Sequence, residues 1–181
     1  MAREKPANPD DPLIRACELV GRFNYHFGHL EETLNASIAK LFKLDGVSAD
    51  ILTANIDFSR KVSIVHSAVT AQNASPGEGW LTKEIKESFN EVMAINDSRL
   101  IVAHSPFEPR RDGGVAFYRI VARGQLKRHE IVWTVEQFEQ LYERMQRLER
   151  ELGNVLRHIE PYEPKLDFSD PRNSMYIPLL T

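Results

Sequence analysis

Residues 134–159 read TVEQFEQLYERMQRLERELGNVLRHI, and the spacing within them decides the fold. Phe138, Leu141, Met145, Leu148, Leu152, Val155 and Ile159 recur at alternating intervals of three and four. That period lays the apolar side chains along one side of an α-helix, the seam of an antiparallel bundle or coiled coil. Thr134, with Gln137 three residues later, forms a capping box that opens the helix. Glu139, Glu143, Arg144, Arg147, Glu149, Arg150 and Glu151 fall off the seam and read as a solvated face with i,i+4 pairing.

A seam needs partners, and the chain upstream supplies them. Asp11-Pro12 is an N-cap followed by proline at the first helical position. Leu13, Cys17, Val20, Phe23, Phe27, Leu30, Leu34, Ile38 and Leu41 then form one stripe, ending around Leu44-Asp45-Gly46. Cys17 lies on that stripe and reads as a small core residue. A second helix is predicted from Ser48, with Leu52, Ile56, Val62, Val65 and Val69 inward, fading at Gln72–Gly77. A third begins near Leu81 and carries Ile85, Phe89, Val92, Ile95 and Val102. Pro106, Pro109 and Asp112-Gly113-Gly114 break the helical pattern. The β-branched and aromatic runs Val115–Val121 and Glu130–Trp133 flank Arg123-Gly124-Gln125 as a small β-hairpin.

The predicted fold class is therefore all-α: a four-helix up-down bundle over residues 12–160, with a β-hairpin at 115–133 inserted between the third and fourth helices. Residues 1–11 read as a disordered N-terminal segment and 161–181 as an extended C-terminal arm ending in Tyr176-Ile177-Pro178-Leu179-Leu180.

The bulk numbers exclude several classes of function. At 181 residues the chain fits one domain. With 23 basic and 26 acidic residues the net charge is −3, so a polyanion would meet a local concentration of positive charge rather than a wholly basic surface. One cysteine excludes an intrachain disulfide and a multi-cysteine metal site. The N-terminal segment has no apolar signal core, and no apolar run approaches the ~20 residues of a membrane span. A cytoplasmic protein with no membrane association is expected.

Chemistry concentrates at Asn96-Asp97-Ser98-Arg99-Leu100-Ile101-Val102-Ala103-His104-Ser105-Pro106. Arginine grips two phosphate oxygens in a fork, and histidine titrates near neutral pH. Together they suffice, without metal, to cleave an RNA backbone by attack of its own 2′-hydroxyl. In a continuous helix, residues five apart point roughly 140° away from each other. Ser105-Pro106 predicts a helix that loosens near Val102 or Ala103, so that His104 swings back beside Arg99. The structural alternative pairs Arg99 with Glu31, Glu32 or Asp97 and sets His104 on the last carbonyls of its helix.

Beside Arg99–His104, two further stretches carry a likeness: Phe27-Gly28-His29-Leu30-Glu31-Glu32-Thr33-Leu34-Asn35 and Phe58-Ser59-Arg60-Lys61-Val62. Over residues 12 to 160 the chain resembles the HEPN family of helical domains, whose motif is an arginine, four to six residues and a histidine. The resemblance implies a four-helix bundle that dimerises and brings two motifs into one cleft, as in a metal-independent endoribonuclease of toxin or defence type. His104 would then be the general acid or base, Arg99 the phosphate holder, and Asn96 and Asp97 supporting residues. It further implies RNA as substrate, a homodimer, no cofactor, and an antitoxin or regulatory protein as partner. Leu100 departs from the family, whose active members commonly carry asparagine there. That departure points to the rival reading, a non-catalytic dimeric module that binds RNA or protein.

Two other groups of residues bear on function. His26, His29 and Glu32 lie at helical spacing, with His66 on the next helix, but glutamate-x-x-histidine is absent, so no metal site is assigned. Arg119, Arg123, Lys127 and Arg128 make the hairpin basic, and with Phe117, Tyr118 and Trp133 form a candidate RNA-gripping surface.

Overall fold

Five helices and a small antiparallel sheet follow one another as α1 (Pro12–Leu41), α2 (Gly46–Ala54), α3 (Phe58–Gln72), α4 (Lys83–His104), β1 (Phe107–Pro109), β2 (Val115–Arg123), β3 (Gln125–Trp133) and α5 (Val135–His158). The structure is a computed structural model that describes residues 11–73, 81–123 and 125–161, without the side chains of 121–125. The N-terminal segment up to residue 10 and the arm beyond 161 lie outside the described residues. Among those described, no helix is long and apolar enough to cross a membrane.

The capping signals act where the sequence places them. The Asp11 side chain accepts from the Leu13 N–H at 2.9 Å. Thr134 and Gln137 exchange both bonds of the capping box, at 2.8 and 3.3 Å. α1 packs against α5, α3 and α2, while α4 lies against α3 and α5. Their apolar stripes meet in one cluster, with Phe23, Leu30, Leu34, Ile38, Val65, Ile95, Phe138, Met145 and Leu148 fully enclosed. The whole α5 seam, from Phe138 to Ile159, is buried.

Three expectations are corrected. The helix expected from Ser48 to the Gln72 region is two helices, because Asn55 caps α2 and Asp57 opens α3 by accepting from the Arg60 N–H at 3.0 Å. α2 buries Thr53 and exposes Leu52, the reverse of the expected stripe. The start of α1 is also turned, since Ala16 and Leu19 are buried whereas Leu13 and Cys17 are exposed. The hairpin is the larger part of a three-stranded sheet of order β1-β2-β3. β1 joins it through a turn in which Gly113 adopts φ +85° and Asp112 accepts from the Gly114 N–H at 3.0 Å. One sheet face, with Val115, Phe117 and Trp133, closes the core over Phe23 and Phe138.

Candidate functional site

α4 remains helical through His104, and only Ser105 turns extended, at φ −118° and ψ 130°. Pro106 restricts the residue just before it and no further. The loosening expected at Val102 or Ala103 is therefore absent, and Arg99 and His104 leave the helix roughly 140° apart. Val102 is buried, Ile101 is half-buried and Ala103 is exposed.

Arg99 is half-buried. Its guanidinium carbon lies 5.8 Å from the centroid of the Phe27 ring, and among the described residues it has no hydrogen bond or ion pair. Phe27 in turn packs on Phe58 at 4.6 Å. Beside Phe58, the Ser59 hydroxyl accepts from Asn96 Nδ2 at 3.0 Å, so Asn96 ties α4 to the start of α3. Asp97 is exposed. The carboxylate partners considered for Arg99 are not its partners, because Glu31 holds the buried Lys61 ammonium at 2.6 Å. Other partly covered cations are engaged as well. Arg144 and Arg147 grip Glu91 at 2.8 and 2.5 Å, and Lys40 Nζ donates to the Leu156 carbonyl at 3.0 Å. Arg99 differs in facing only an aromatic ring. His104 is exposed at the end of its helix, with no carbonyl contact among the described residues.

The histidines weighed as metal ligands are dispersed. His26 faces α5, 5.4 Å from the Tyr142 ring, where burial and then the nearby Arg22 charge lower its pKa. His29 packs on Tyr25, and His66 stacks on Phe89. Glu32 lies with Glu31, Asn35 and Asp50 around a polar hollow between α1 and α2. No three potential ligands converge among the described residues.

The sheet carries the rest of the site. Phe107 pairs with Phe117, and Phe117 with Ile131, on the core-facing side. The Tyr118 N–H donates to the Pro106 carbonyl at 2.9 Å, which extends the β1–β2 register toward α4 and sets Ser105 opposite Arg119. Arg119 pairs with His129, and Lys127 stands opposite Val121. Alternation along strands places Arg119, His129 and Lys127 on the core-facing side, beyond the edge of the apolar cover, whereas Ser105 on the same side is buried. Arg128, opposite Ile120, falls on the other side. That side also carries Glu108, Tyr118 and Glu130. The Tyr118 hydroxyl donates to Glu108 at 3.4 Å, and burial, followed by the charges of Glu108 and Glu130, raises its pKa. The basic hairpin residues thus separate into two faces of different charge, and the Arg123 side chain lies outside the described residues.

Sequence reasoning missed Ser105 and His129. Counting by twos from Trp133 through Ile131 reaches His129, and that period was the available signal. Ser105 joins only through β1, whose three residues are too few to show a period. No family model, curated protein or solved structure matches this chain.

Proposed function

We propose that this chain acts on RNA as a HEPN-like, dimeric four-helix bundle, cleaving the strand without a metal in the manner of a toxin or defence ribonuclease. The observation that carries the reading is Arg99, a half-buried guanidinium set against Phe27 with no carboxylate among the described residues. Covering a cation without a counter-charge costs stability, and a phosphate supplies that charge through a bidentate pair. In the reaction, the ribose 2′-hydroxyl attacks phosphorus while a base takes its proton. The bond to the 5′-oxygen breaks as an acid gives that oxygen a proton, leaving a 2′,3′-cyclic phosphate and a 5′-hydroxyl. His104 is the group that moves a proton, and Arg99 stabilises charge on the phosphoryl oxygens. The two diverge on one helix, so this chemistry requires a second copy whose His104 meets this Arg99 across a cleft.

The rival is a non-catalytic dimeric module that binds RNA or protein. The unbroken α4 and the apolar Leu100 favour it. Cleavage of a mixed RNA in EDTA by wild type, Arg99→Ala and His104→Ala separates the two. Cyclic phosphate ends that vanish in both variants are the expected result. RNA left intact by a folded, dimeric wild type refutes the nuclease and leaves the binding module.

A further inference from the structure

The sheet row next to α4 carries cations that the fold leaves without carboxylate partners among the described residues. Ser105 closes its inner end, 8% exposed with its hydroxyl enclosed. Across the row stand the exposed side chains of Arg119 and His129, which have no ion pair among the described residues. Lys127 follows two positions along β3, about 7 Å from His129 at the rise of a strand. The row begins one residue after His104, so it borders the end of α4 that the proposed chemistry uses.

The opposite face of the same sheet has another character. Glu108 and Glu130 sit there with Tyr118, and Arg110 reaches Glu130 at 3.9 Å and Asp112 at 3.2 Å. A phosphate approaching that face meets carboxylates already shared with an arginine. On the core-facing side it meets two cations and an imidazole.

We propose that Arg119, His129 and Lys127 form a phosphate-binding row that guides single-stranded RNA along one face of the hairpin toward His104. This rests on the proposed action on RNA and adds which surface holds the strand. Arg119 and Lys127 supply charge, and His129 supplies a ring donor and a stacking face. Selectivity between the two faces is the signature of the row.

The test measures binding of a labelled, mixed-sequence single-stranded RNA to the full chain by fluorescence anisotropy, in EDTA, across a salt series. Arg119→Gln with Lys127→Gln is expected to weaken binding at least tenfold and to lower the slope of log K against log salt by about 1.4, or ~0.7 for each lost phosphate contact. Arg128→Gln, on the other face, is expected to change affinity less than twofold. If wild type binds no RNA, both the action on RNA and the row are overturned. If wild type binds but Arg128→Gln loses as much as the Arg119/Lys127 pair, the row alone is overturned.

Discussion

Replacing Glu31 by glutamine tests the least forgiving polar contact in the interior. Lys61 is 4% exposed, and its ammonium is held by Glu31 Oε1 at 2.6 Å, with the Glu31 side chain one-third exposed. Removing the carboxylate leaves a buried cation without a counter-charge, which costs about 3–5 kcal/mol in fully buried pairs. Glu31 keeps some water, so the lower end applies, and ~3 kcal/mol at roughly 2–4 °C per kcal/mol lowers the melting temperature by about 6–12 °C. Lys61→Met removes the charge and keeps the volume, and is expected to be neutral or stabilising. The double variant should therefore melt near Lys61→Met, not near Glu31→Gln, which gives a large coupling in the cycle. Thermal unfolding followed by circular dichroism, at fixed protein concentration and near neutral pH, reads all four proteins. A Glu31→Gln shift under about 2 °C, or a Lys61→Met loss as large as that of Glu31→Gln, would refute the reasoning.

Tyr142→Phe removes the phenol that donates to the Leu19 carbonyl at 2.6 Å in a buried setting, and should cost about 1–3 kcal/mol by denaturant titration. No loss would mean that the carbonyl finds another donor. Gly114→Ala puts a Cβ 2.5 Å from the Trp133 carbonyl oxygen, which backbone cannot yield, so it should destabilise by roughly 1–3 kcal/mol and alter tryptophan fluorescence. Gly113→Ala meets only the Arg15 side chain, and its cost comes from the positive φ. Burial pushes the Glu91 pKa up, but hydrogen bonds from Arg147 and Arg144 outweigh it and hold the carboxyl below the usual range. Its stabilisation is complete above the ordinary glutamate value of about 4.3 and fades as pH falls through the depressed folded value. Glu91→Gln should therefore be less stable than wild type near neutral pH, with a gap that closes on acidification. A gap that widens in acid would reverse the assignment.

The legible parts of the fold are those where one period runs long. The α5 seam and the middle of α1 are readable because seven apolar positions in α5, and six in α1 from Phe23 to Leu41, agree on a face, and the structure buries them. The break at Asn55–Asp57 was not read, although Asp57 is a good N-cap, because Ile56 and Val62 carried the apolar pattern across it. Leu13 and Cys17 belong to a stripe by spacing, yet at the α1 end the neighbouring phase, Ala16 and Leu19, takes the core. At the candidate site, residue types were legible but their directions were not. Arg99 and His104 stand out in any reading of residues 96–106, whereas their divergence depends on where α4 stops.

That stopping point links the sheet to the chemistry. Pro106 forces extended geometry on Ser105 alone, and β1 begins directly after the proline at Phe107. The Pro106 carbonyl then takes the Tyr118 N–H, which fixes the β1–β2 register and, through it, which hairpin residues stand beside the end of α4. Shifting that register by one residue would exchange the faces, bringing Tyr118 and Glu130 to the core-facing side and turning Arg119 and His129 away. The same proline that ends α4 at His104 thus bears, through Ser105 and the β1–β2 register, on which face of the hairpin turns toward the core. A site built from Arg99 and His104 alone omits the sheet, whose first strand begins at Phe107 directly beyond α4 and whose hairpin fills the chain between α4 and α5.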